Sequence, residues 1–132
     1  MLHLNVLWLL FMSTSCALED TNTPCKKMCM DESVIEKIIN VPGKIVQIQN
    51  TENKIDYLFI DIDPAFLDKQ GYSTSNETTL VPCNLSEHYK NGMRVVVSGK
   101  KMSCCDLITL PMLRYSWGCK FEISSIKTFT DN

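Results

Sequence analysis

Cysteines are the residues of this chain best placed to do chemistry: Cys16, Cys25, Cys29, Cys83, Cys104, Cys105 and Cys119. Thiols can bind a metal, attack a substrate or pair oxidatively, and their surroundings decide between these fates. Zinc is disfavoured, because Cys25-x-x-x-Cys29 is not the tight CxxC knuckle and His88 is the only histidine beyond the extreme amino terminus. Nucleophilic hydrolysis would have to use the same His88 as its base, and no Gly-x-Ser-x-Gly elbow accompanies it. Disulfides are the remaining reading, and the amino terminus supports it.

Met1 to Ala17 carries no Asp, Glu, Lys or Arg, and Val6 to Met12 is an unbroken apolar run. That run is too short for a transmembrane helix, which takes about 20 apolar residues. Ser15-Cys16-Ala17 places small residues where a signal peptidase cuts, so residues 1–17 are expected to be a signal peptide and 18–132 a single mature domain. A basic n-region is missing; a lipoprotein signal ending at Cys16 and an uncleaved apolar core segment are the alternatives. Cleavage removes Cys16 and leaves an even set: Cys25, Cys29, Cys83, Cys104, Cys105 and Cys119. An even set in a short exported chain predicts a disulfide framework. The pairing stays open, except that Cys104 and Cys105 in extended chain point to opposite faces and need different partners.

Other candidates are weaker. Asp61 and Asp63 share a strand face, as acid/base carboxylates or calcium ligands do, but calcium takes about six to eight oxygens and no loop supplies them. Tyr57 and Phe59 suit a base-stacking platform, yet a net charge of −2 offers no positive groove for nucleic acid. Packing of those rings under an N-terminal helix is the expected alternative. The segment Asp106 to Gly118, bounded by Cys104-Cys105 and Cys119, is too apolar for an ordinary solvent loop. Within it Leu110, Met112, Leu113, Arg114, Tyr115 and Trp117 form the candidate binding surface, since such side chains anchor protein contacts. The competing expectation is a lid in which Leu107, Ile108, Leu110, Leu113 and Trp117 fold back on the core. Two sequons, Asn76-Glu77-Thr78 and Asn84-Leu85-Ser86, are candidate glycosylation sites; Asn76 is favoured because it lies in a polar loop.

These residues must be held by a small set of elements. From Pro24 to Asn40 the spacing of Val34, Ile35, Ile38 and Ile39 predicts a helix capped by Asp31 and stopped by Val41-Pro42-Gly43. Period-two patterns then predict strands at Lys44–Gln49, Ile55–Ile62, Leu80–Cys83, Met93–Lys101 and Lys120–Phe129, with the proline of the third placing it at an edge. Asn84 to Lys90 reads as a short helix with Asn84 as its cap and Glu87 completing a capping box. The order implies a mainly β chain with α, an α+β class: a small five-stranded OB-like Greek-key barrel, with an N-terminal helix and a second helix between strands three and four.

The run from Asn84-Leu85-Ser86 through Gly92 to Ser98-Gly99-Lys100 resembles a pattern found in small exported OB-like proteins of unknown function, in which an Asn-Leu helix start and a glycine turn precede a strand ending Ser-Gly-Lys. Ser86 stands where that pattern has proline, and the resemblance implies no catalytic or binding residue. No cofactor and no metal are expected. The function expected is a secreted, extracellular, non-enzymatic binding module whose partner is a protein rather than nucleic acid or a membrane surface. A secreted protease inhibitor of OB-fold style is the first alternative and a small hydrolytic enzyme the second. Inhibitors of that style lead with a cysteine, whereas Leu18 leads here and Cys25 lies inside the chain.

Overall fold

The computed structural model describes residues 29–50, 55–110, 112 and 114–129. The expected signal peptide, Cys25, the start of the expected first helix and Leu113 lie outside those residues. Seven strands make up the described chain: β1 (Val34–Asn50), β2 (Ile55–Asp61), β3 (Thr79–Pro82), β4 (Arg94–Met102), β5 (Ile108–Leu110), β6 (Tyr115–Trp117) and β7 (Cys119–Thr128). Five of them close a barrel in the order β1-β2-β3-β7-β4, while β5 and β6 form a separate hairpin. Within the barrel β3 and β7 run parallel and the other pairs antiparallel.

The α+β class is corrected by these observations, because the described residues contain no α-helix and a single 3-10 turn, Pro64–Phe66. Where the first helix was expected, Val34 to Asn40 belongs to β1. Val34, Ile35, Ile38 and Ile39 are β-branched, stiff at χ1 and at ease on a pleated surface, and their spacing imitates a helical stripe. In the strand they divide between faces, with Ile38 buried and Ile35 and Ile39 exposed. A bulge between Ile38 and Val41, with Asn40 at φ 48°, moves the inward set to Val41, Gly43 and Ile45. Asn40 N donates to Ser98 Oγ at 2.8 Å, which holds the bulge against β4.

Pro42 and Gly43 do not stop β1. Ile45 exchanges backbone hydrogen bonds with Met93 O and Gly92 N, so the alternate residues Lys44 and Pro42 direct their backbone toward β2. Pairing with β2 starts only at Lys44, so the missing N–H of Pro42 removes no ladder bond. At Gly43 a Cβ would come within 2.8 Å of Ile60 Cγ2, so glycine permits the close crossing that closes the barrel.

The second expected helix, Asn84 to Lys90, is a succession of turns with Tyr89 N bonded to Ser86 O and Met93 N to Lys90 O. So short a run does not recover the cost of helix nucleation. Ser86 Oγ also accepts from His88 N at 3.3 Å, a local bond that competes with helix geometry. β3 is not an edge strand, since it lies between β2 and β7, and Pro82 is tolerated as its last residue.

Alternate faces of the wall feed two cores. Ile38, Ile45, Ile60, Leu80, Val95, Val97 and Phe121 fill the barrel interior. Val46, Tyr57, Phe59 and Val81, from the opposite faces of β1, β2 and β3, pack outside it with Cys104, Leu107, Ile108 and Trp117. Tyr57 and Phe59 therefore lie beneath the β5–β6 hairpin, and not beneath a helix.

Candidate functional site

The root of the hairpin is fixed to the barrel by covalent and polar links. Cys104 pairs with Cys29 and Cys105 with Cys119, so the adjacent cysteines do take different partners. Cys83 is also disulfide-bonded. Leu107 N donates to Gly118 O (3.2 Å) and Lys120 N to Cys104 O (2.8 Å), continuing the tie in the backbone. Gly118 takes φ 93°, and a Cβ there would lie 3.0 Å from Val81 Cγ2, so conformation and closeness both call for glycine. Asn76 latches the preceding loop onto this root: its Oδ1 accepts from Gly118 N (2.7 Å) and its Nδ2 donates to Asp106 Oδ1 (3.1 Å).

Above the root the hairpin lies flat on the outer wall. Ile108 faces Trp117, Thr109 faces Ser116 and Leu110 faces Tyr115. The Thr109 and Ser116 hydroxyls share a 2.8 Å hydrogen bond, and Tyr57 Oη donates to Thr109 O at 3.1 Å from the barrel below. Trp117 is fully buried and meets Phe59 edge-on, with centroids 6.5 Å apart. Tyr72 and Tyr115 each lie nearly parallel to it, at 6.3 Å and 6.1 Å. Trp117 is thus the common neighbour of both tyrosine rings. The indole Nε1 is buried without a hydrogen-bond partner, so shape and area hold this ring in place.

The expected surface therefore divides. Ile108, Trp117 and Leu107 are buried lid residues, and Leu110 packs partly against the same core. Met112 is 89% exposed, Tyr115 is 49% exposed, and Arg114, at φ 47°, is exposed between them in sequence. These three form the accessible tip of an element whose root cannot move freely.

The weaker candidates elsewhere take part in local structure. His88 is exposed and meets the ring of Tyr89 edge-on at 5.3 Å. Asp61 is fully buried and accepts from Ser73 N (2.7 Å), Ser73 Oγ (2.7 Å) and Asp63 N (3.0 Å). Asp63 caps the 3-10 turn by accepting from Ala65 N at 3.0 Å. Among the described residues no group of His, Cys, Asp and Glu is placed to hold a metal ion. Asn76 is half-buried in its latch, and Asn84, exposed on the turn after β3, caps no helix.

Sequence reasoning missed Lys44, whose buried ammonium donates to the carbonyls of Phe66 (2.7 Å), Lys69 (2.8 Å) and Gly71 (2.7 Å). It missed Tyr72 and the Asn76 latch as well. The available signal was Asp61, a carboxylate in line with Tyr57 and Phe59 on an apolar face, which has to be satisfied by donors from a neighbouring loop. No family model matches the sequence, and no curated protein matches it.

Proposed function

We propose that this chain is an exported, non-enzymatic binding module that contacts an extracellular protein through the tip of the β5–β6 hairpin. The observation that carries the reading is the exposure of Met112 and Tyr115 on a hairpin whose root is bridged by Cys105–Cys119 and joined to Cys29 through Cys104. Solvent alone does not call for a large apolar side chain and an aromatic ring three residues apart on one short hairpin. An anchored loop loses little conformational entropy on binding, which favours affinity without a large area. Tyr115 and Arg114 are of the types that carry most of the energy in protein contacts. Trp117 acts beneath them by holding the Tyr115 ring from one side. Disulfides fit an exported chain.

Replacing Met112 and Tyr115 together by alanine tests the reading. Met112 is almost wholly exposed and Tyr115 about half, so thermal unfolding is expected to shift by no more than a few degrees while capture of the partner falls at least tenfold. Unchanged capture by the folded double variant contradicts the assignment.

A further inference from the structure

The two sequons differ in what their side-chain amides already do. An N-glycan bonds to Nδ2 of asparagine. In Asn76 that nitrogen donates to Asp106 Oδ1 at 3.1 Å while Oδ1 accepts from Gly118 N at 2.7 Å, and the residue is half-buried. A sugar on it would stand where Asp106 meets the root of the hairpin. Asn84 and Ser86 are both exposed. Asn84 also lines a groove of about 500 Å³, together with the apolar Leu85, Tyr89, Ile123 and Ile126 and the charged Lys120 and Glu122. Turns take the place of a helix in this region.

We infer that Asn84 is the acceptor of an N-linked glycan when the chain passes through a eukaryotic secretory pathway, that the first sugar roofs this groove, and that Asn76 is a latch. The donor is an oligosaccharide linked to a lipid diphosphate. Its anomeric carbon bonds to Asn84 Nδ2, its bond to the phosphate breaks, and the proton lost by the amide leaves with the diphosphate. The first sugar is a compact ring carrying an N-acetyl group, with a methyl and C–H faces to set against Leu85, Ile123 and Ile126. The inference shares with the proposed function the premise of export; glycan mapping tests one and tip variants test the other.

The full chain is expressed in mammalian cells and its glycans are released by peptide-N-glycosidase in heavy-oxygen water, which marks each formerly occupied asparagine in peptide mass spectra. The mark is expected at Asn84 in most molecules and at Asn76 in few. Ser86→Ala should abolish the gel-mobility shift and Ser86→Thr, which preserves the sequon, should retain it. Removing the glycan from folded protein should raise the fluorescence of an apolar dye several-fold as the groove opens. A chain without glycan, or one marked mainly at Asn76, overturns the assignment; unchanged dye fluorescence overturns the roof.

Discussion

Asp61 and Lys44 sit opposite each other in the β1–β2 register, and each fixes a different stretch of the connection from β2 to β3. The carboxylate takes three donors from Asp63 and Ser73, and the ammonium takes three carbonyls between Phe66 and Gly71. Asp61→Asn turns an amide donor toward donors, and we expect a loss of about 3 kcal/mol, read by urea unfolding with an unchanged m value. Trp117 offers a sharper comparison. Trp117→Ala should destabilise by about 3–5 kcal/mol through the cavity it leaves. Trp117→Phe, which removes the unpartnered Nε1 and keeps a ring, should retain at least half of that. Equal losses would show that the ring face does not hold the hairpin. Asp61 was legible as a carboxylate on an apolar face, but its donors and the role of Lys44 were not, because a strand pattern reports which face a residue occupies and not which loop returns to cover it.

Among the elements, β1 and the hairpin show most plainly what periodicity conveys. β2, β4 and β7 lie within two residues of the strands read from alternation, because each is regular and half of it faces a core. The first part of β1 was misread, because before its bulge β-branched residues stand on both faces and Val34, Ile35, Ile38 and Ile39 so imitate a helical stripe, whereas Lys44–Gln49 was read as the strand it is. The hairpin was legible as an apolar segment held by cysteines, while its division into buried Trp117 and exposed Tyr115 was not, since both are aromatic and two residues apart. Gly99 marks the point where β4 and β7 cross at a second bulge, and a Cβ there would collide with Glu122 O and the Phe121 ring. Gly99→Ala is therefore expected to lower stability by about 1–3 kcal/mol, measured by thermal or urea unfolding. A neutral result would mean that β4 and β7 can separate without loss.

The described residues form a barrel with one core inside it and a second laid against its wall, and Cys29–Cys104 belongs to the second. Each closed loop should contribute about 2–4 kcal/mol by restricting the unfolded chain. With Cys29–Cys104 and Cys105–Cys119 formed, peptide mapping without reduction is expected to join Cys83 to Cys25, the cysteine that remains if residues 1–17 are the proposed leader. A different partner for Cys83 would revise the framework before residue 29. The fold's class was not legible from element order, since turns at Asn84 to Lys90 carry the residues of a helix start without the length to form one. The proposed role depends on the outer core holding the hairpin still while its tip meets another protein. Its most direct measurement compares wild type, Met112→Ala/Tyr115→Ala and an Ile39→Ala control on the exposed far part of β1, each shown to be folded, in quantitative capture from the source's extracellular fluid. A protein retained saturably by wild type and by the control, and lost from the tip variant, is the predicted result; the same proteins at the same levels on all three would contradict it.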